Sequence, residues 1–197
     1  MGSLRAFNLT LFGCNVFFET GTGTGASLHY AWRNHPFFKK LYSTEIHAAT
    51  AAEAAAHFKA VDNIEILTAD SVTALRRVLP KVARTDRILF FLDAHFPGEV
   101  DKQAFKGYLA AEPAELKLPL EEELKLIREL RGDCADVIVI DDLRIYENGP
   151  FESGNMPDWA ETLDPEEKSI DFVLDLFPGR RLIRDYRDEG YLLILPA

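Results

Sequence analysis

The chain has 197 residues, 47% of them apolar and 11% aromatic, enough to bury a core, and by length one domain spanning residues 1–197 is expected. Lys and Arg number 22 against 32 Asp and Glu, and the resulting charge of −10 disfavours nucleic acid as a partner and favours a small molecule. No apolar run reaches the roughly 18 to 20 residues of a membrane span, and the first residues, broken by Asn8, Thr10 and Gly13, lack a secretory pattern, so no membrane partner and a cytoplasmic location are expected.

From the N-terminus, Phe7, Leu9, Leu11 and Phe12 are expected to pack on the domain or on a second subunit, which keeps a homodimer open. Short runs of β-forming residues then alternate with helical stretches, as in an α/β protein with a mostly parallel sheet. The expected strands are Val16–Glu19, Leu41–Glu45, Ile64–Ala69, Arg87–Leu92 and Val137–Ile140, separated by helices near Ser27–Arg33, Ala48–Ala60, Val72–Val82 and Leu120–Arg131. Arg87–Leu92 and Val137–Ile140 are apolar on both alternating faces and are therefore central. At the end, Arg181–Tyr186 and Tyr191–Leu195 are too close for a parallel crossover and must form an antiparallel hairpin. The expectation is a doubly wound, mostly parallel seven-stranded sheet with a C-terminal antiparallel hairpin. Two long connections, 96–119 and 143–167, leave the carboxyl ends of their strands and are candidate substrate lids. Cys14 and Cys134 are too few and too isolated for a disulfide framework or a thiolate zinc site, and packing is their expected role.

The strongest motif is the strand running from Val16 into Glu19, then Gly21, Gly23 and Gly25, then a helix. Glycines let backbone approach a bound ligand, and the helix that follows offers free N–H groups, so a nucleotide-like ligand is implied. Glu45, at the end of the second strand, is placed to accept ribose hydroxyls. Asp70 and Ser71, after the third strand, can hydrogen-bond an adenine, while Asp70 fits equally well as the cap of the helix that follows.

In this combination, Glu19 with Gly21, Gly23 and Gly25, then Glu45, then Asp70, then five parallel units and a closing hairpin, the chain resembles the class I S-adenosylmethionine-dependent methyltransferases. The resemblance implies a Rossmann-like methyltransferase fold with S-adenosyl-L-methionine as cofactor. It places Glu19 and the glycine loop at the methionine end, Glu45 at the ribose, and Asp70 with Ser71 at the adenine. Gly21 to Ala26 also satisfies the dinucleotide pattern, which keeps an NAD(P)-dependent oxidoreductase as the alternative. An acidic Glu19 beside a pyrophosphate and the lack of a separate substrate domain weigh against that reading. A cofactor-binding protein without transfer activity is the other alternative.

Asp93, Asp141 and Asp142 follow the fourth and fifth strands, whose ends lie side by side, and three such carboxylates suit Mg²⁺ or another hard divalent cation. This resembles the metal-dependent O-methyltransferases of the catechol and macrocin types, and implies methylation of a small hydroxylated molecule. A coordinated hydroxyl would be acidified and oriented for attack on the methyl group. His95, two residues beyond Asp93, is the candidate general base, with Asp93 beside it as a catalytic residue. His29, His35, His47 and His57 have no spacing that makes a ligand set. Arg144 and Tyr146 follow the paired aspartates and are placed to face a substrate, though Arg144 is expected to pair with a neighbouring acid in preference to gripping an anionic group. The run Glu121, Glu122 and Glu123 opens a helix, where negative charge suits the macrodipole and needs no functional explanation.

Overall fold

The register of the strands decides where the site can be. In a computed structural model, which describes residues 4–95 and 118–197, Thr20 at the end of β1 (Val16–Thr20) stands opposite Leu92 at the end of β4 (Ile88–Leu92). Leu92 in turn stands opposite Ile140, the last residue of β5 (Val137–Ile140). The next residues, Gly21, Asp93 and Asp141, therefore leave the sheet together at one edge.

The full sheet has seven strands in the order β3-β2-β1-β4-β5-β7-β6, with β2 at Lys40–Glu45, β3 at Ile64–Thr68, β6 at Arg181–Asp185 and β7 at Tyr191–Leu195. The first five pair in parallel, while β7 runs antiparallel to both β5 and β6. The hairpin is thus as expected, and β7 alone opposes the rest, because β6 is reversed twice. Chain order reverses direction between β1 and β4, which creates the crevice where open α/β sheets bind ligands.

Helices α1 (Ala26–Asn34), α2 (Ala48–His57), α3 (Ser71–Val78) and α4 (Leu120–Arg131) fall where the periodicity places them. α2 ends three residues early, its last turn closed by Phe58 N–H donating to the Ala54 carbonyl. α3 gives way to a 3-10 turn, Leu79–Lys81, at Pro80, which has no N–H to continue the ladder. The short helix α5 (Phe172–Leu176) and the N-terminal 3-10 turns Leu4–Ala6 and Leu9–Phe12 were not anticipated, being too short for periodicity to show.

Alternation divides the core in two. Phe18, Phe90, Leu92, Ile138 and Ile140 face α3 and α4, while Phe17, Leu89, Phe91, Val137 and Val139 face α1 and the N-terminal turns. Leu4, Phe7 and Leu9 are buried in that second layer, with the Phe7 ring edge-on to Tyr191 at 5.0 Å, whereas Leu11 is 81% exposed. Cys14 and Cys134 are buried and unbridged, as expected of packing residues. Of the two candidate lids, 96–119 lies almost wholly outside the described residues. The other, 143–167, begins as packed structure, since Leu143, Ile145, Tyr146 and Phe151 are buried against the core. Among the described residues no helix is long and apolar enough to cross a membrane.

Candidate functional site

All three glycines of the loop have positive φ, +81° at Gly21, +48° at Gly23 and +75° at Gly25, a conformation that costs any L side chain. Gly21 also meets β4: a Cβ there would lie 2.5 Å from the carbonyl oxygen of Asp93. At Gly23 a Cβ would project into open space, with nothing within 4 Å. The loop therefore lies against β4 at Gly21 and presents bare backbone at Gly23.

Glu45 holds the loop from the side. One of its oxygens accepts from Gly23 N–H at 3.0 Å and the other from His47 N–H at 2.9 Å. Each oxygen keeps lone-pair capacity for a hydroxyl donor. Glu19 is fully buried, and both its oxygens are engaged, by the Ser27 hydroxyl and by the Ser43 hydroxyl at 2.6 Å. Ser43 reaches on to Thr22 at 2.7 Å. Burial pushes the Glu19 carboxyl up to about 8 against these hydrogen bonds, with the charges of Asp93 and Glu45 adding to the rise. Glu19 thus ties β1, β2 and α1 together beneath the loop, and its carboxyl does not reach the surface.

Asp70 caps α3, accepting from Thr73 N–H at 2.8 Å. Its capping role is realised, and one carboxylate oxygen is spent on it. Ser71, in the first turn, is buried beside a residue the sequence reading assigned no function. Glu123 is 1% exposed and faces Ser71 and Thr20, and burial pushes its carboxyl up to about 7. Hydrogen bonds from Ser71 and Thr20 and the charge of His95 oppose that rise, while Asp93 adds to it. Its position was legible: Leu120, Glu123, Leu124 and Ile127 fall on one helical face, which turns Glu123 inward while Glu121 and Glu122 stay in solvent.

The strand-end acids do converge. Asp93, Asp141 and Asp142 come together, and what they surround is the imidazole of His95. Its Nε2 lies 2.9 Å from Asp93 Oδ1 and 3.4 Å from Asp142 Oδ2, with the ring only 8% exposed. Burial works against a charge on His95, but the hydrogen bond to Asp93 and the charges of Asp142, Asp93 and Asp141 outweigh it and raise the ring to about 10. Burial and mutual repulsion push the Asp141 carboxyl well up, and burial pushes Asp142 up against the pull of His95 and Arg144. Asp141 Oδ1 accepts from Asp142 N–H at 2.9 Å, and Asp142 itself sits at φ +49°, a left-handed conformation that aspartate tolerates better than most residues. Arg144 approaches Asp142 at 3.9 Å and Glu189 at 3.6 Å, the pairing with neighbouring acids expected of it.

As ligands for a cation these residues do not fit as they lie. Among the described residues, no group of three or more His, Cys, Asp and Glu side chains is arranged to hold a metal ion. Asp93 and Asp142 instead lie 2.9 and 3.4 Å from the imidazole Nε2 of His95. Of the remaining histidines, His29, His47 and His57 are exposed, and His35 is buried with Nδ1 3.1 Å from the Thr10 hydroxyl.

Several solved structures share this arrangement of strands and helices. An SAH-bound methyltransferase from Podospora anserina is similar with a TM-score of 0.55 and 16% identity, over 93% of this chain and 72% of that one. An O-methyltransferase from Bacillus cereus in complex with SAH gives 0.55 and 17%, over 95% and 77%. A methyltransferase from Geobacter sulfurreducens gives 0.55 and 10%, over 97% and 76%. The fold is the Rossmann-like methyltransferase fold. No protein-family model and no curated protein sequence matches the chain.

Proposed function

We propose that this chain is an S-adenosylmethionine-dependent methyltransferase acting on an oxygen of a small hydroxylated molecule. The observation that carries the reading is Glu45, whose carboxylate is held by the Gly23 and His47 amides at the rim of a glycine loop whose backbone is bare. A carboxylate in that place receives a ribose diol, whether that of S-adenosylmethionine or that of a dinucleotide. The reading draws further support from the neighbours of like fold, two of which hold SAH.

In this reading the glycine loop and Glu45 seat the cofactor in the crevice between β1 and β4, with its methyl group toward the strand-end acids. The substrate hydroxyl attacks that methyl carbon in line. The new O–C bond forms as the C–S bond breaks, sulfur keeps the electron pair, and SAH leaves as a neutral thioether. The hydroxyl proton goes to Asp93, the most exposed carboxylate of the Asp93, Asp142 and His95 contacts at 26%. His95, with Nε2 2.9 Å from the carboxylate, packs against Asp93 and limits its orientations. As a proton acceptor in its own right, His95 would first have to leave that ion pair.

Calorimetric titration with S-adenosylhomocysteine, with NAD as the control ligand, tests the proposal. Micromolar binding of S-adenosylhomocysteine and none of NAD is expected, with Glu45→Gln weakening it roughly tenfold, a loss of about 1.4 kcal/mol. Binding of NAD alone would hand the glycine loop to a dinucleotide and an oxidoreductase. Binding of S-adenosylhomocysteine with no methyl transfer to any acceptor in a panel of hydroxylated compounds would leave a cofactor-binding protein.

A further inference from the structure

We infer that the chain has a second ligand site at the amino ends of its strands, one that binds a neutral single-ring molecule bearing a hydroxyl group, a phenol in chemical class. The inference stands apart from the methyl-transfer reading, which concerns the opposite edge of the sheet.

Asn15 and Phe38 lie just before β1 and β2, and both line a cavity of about 300 Å³. The five residues of β1, about 16 Å, separate it from the glycine loop. Its volume is at the lower end of the range for small-molecule sites, which suits one ring better than a nucleoside. Leu9, Phe37 and Phe38 give it apolar walls, and Phe37, 69% exposed, leaves most of its surface for an aromatic ligand to cover.

His35 also lines the cavity and is only 6% exposed, yet its Nε2 has no hydrogen-bond partner among the described residues. Buried polar atoms in native proteins are nearly always paired, so this one calls for a partner from outside the chain. The other polar groups of the lining are spent within it. Thr10 Oγ1 lies 3.1 Å from His35 Nδ1, and the Cys14 thiol donates to the Phe12 carbonyl at 3.7 Å. Asn15 accepts from Arg87 N–H at 2.9 Å and donates to Asp86 at 3.0 Å.

The unspent nitrogen and the lack of charge together define the ligand. Which ring nitrogen of His35 carries the proton depends on whether Thr10 donates or accepts, and a hydroxyl suits Nε2 in both tautomers because it can do either. No lining residue is Asp, Glu, Lys or Arg. Burial lowers the His35 imidazole and pushes the Cys14 thiol up to about 11, so both are neutral near pH 7. Asp86, to which Asn15 donates, is already paired with Lys39 at 2.6 Å. A carboxylate or an ammonium would therefore enter without a counter-charge, at a desolvation cost that a neutral phenol does not meet.

Phenol is the probe, and toluene is the analogue of equal size that lacks the hydroxyl. Titrations of the full chain are followed by calorimetry and by the nitrogen resonances of the His35 ring, with and without S-adenosylhomocysteine. One saturable phenol site is expected, roughly fivefold to tenfold tighter than toluene, with Nε2 shifting for phenol alone. His35→Phe should erase that preference. Phe37→Ala, at an exposed position that the fold does not depend on, should weaken both ligands roughly threefold or more. It keeps the test open should His35→Phe fail to fold. No saturable phenol binding at millimolar concentration would overturn the inference, as would equal affinity for the two ligands with the His35 ring unmoved. Phenol displaced by S-adenosylhomocysteine would overturn it too, since that phenol would lie at the other edge. So would a chain whose sedimentation shows it to self-associate through this face and exclude phenol. Failure of S-adenosylhomocysteine to bind would remove the methyltransferase reading and leave this site standing.

Discussion

Glu19 has no contact with solvent, and its carboxyl is raised from 4.5 to about 8 chiefly by burial. A group whose folded value lies above its unfolded value binds more protons in the folded state, so it favours folding at low pH. Its contribution is complete below about 4.5 and is lost as pH rises toward 8. Glu19→Gln keeps partners in the hydroxyls of Ser27 and Ser43, since either can donate or accept. The variant should match the wild type near pH 4 and exceed it increasingly up to about pH 8, by a few kcal/mol at most. Denaturant unfolding across that range measures the difference, and a constant offset would show that Glu19 does not titrate there. Glu123, raised to about 7, slopes the same way in both proteins and cancels in the comparison. The sequence assigned Glu19 to the ligand because an acid preceded a glycine loop. That Ser43 stands opposite it across the strands is a matter of register, which the letters alone do not disclose. Glu45, by contrast, was legible as a loop-side acid, because a strand's last residue projects at the sheet edge whatever the register.

At the scale of the element, the loop between β1 and α1 makes its glycines unequal. Gly21→Ala adds a methyl group 2.5 Å from the Asp93 carbonyl on top of a positive φ, so the strand ends must part. A loss on the order of 3 kcal/mol or more is expected by denaturant unfolding. Gly23→Ala carries the φ cost alone, about 1 kcal/mol, because the new methyl group meets no protein atom. If the space above Gly23 receives the cofactor, that mild variant should nonetheless weaken S-adenosylhomocysteine roughly tenfold or more. Equal stability losses at the two positions would contradict the packing described, and unchanged affinity in Gly23→Ala would place the cofactor elsewhere. The glycine pattern revealed the loop, yet the division of labour within it depends on β4 lying against Gly21, a contact between residues more than seventy positions apart. The acidic start of α4 shows the same boundary between what is legible and what is not. Its charge run was readable as favourable to the helix dipole, while its burial pattern, equally present, separated Glu123 from its neighbours.

Across the whole molecule, the sheet carries a buried ion pair at one edge and the strand-end acids of the proposed site at the other. At the edge opposite the acids, Arg131 and Asp136 are 2% and 1% exposed and form a closed pair, with Nε to Oδ2 at 2.6 Å and Nη2 to Oδ1 at 2.9 Å. Arg131 also donates to the Asp86 carbonyl at 2.7 Å, and Asp136 accepts from Ile88 N–H at 2.8 Å, so the pair fastens α4 to the starts of β4 and β5. The alternation of strands and helices showed both edges in outline, since it fixes which loops lie at which end. It could not show this pair, because an Arg five positions before an Asp reads as an ordinary surface contact until the helix end and strand start enclose it. Asp136→Ala leaves a buried guanidinium without its counter-charge and should cost about 3 to 5 kcal/mol. β4 spans five residues, about 16 Å, between that pair and Asp93. Over such a distance, without shared partners, effects add. Asp136→Ala should therefore lower stability while leaving the affinity for S-adenosylhomocysteine within a factor of about two, measured well below its melting temperature. If Asp93 accepts the hydroxyl proton as proposed, Asp93→Asn should slow methyl transfer, and the double variant should show the sum of the two single effects in unfolding and turnover assays. A coupling above about 0.5 kcal/mol between the two positions would mean that the strand transmits strain from one edge to the other, and that the site's geometry depends on the lock beneath it.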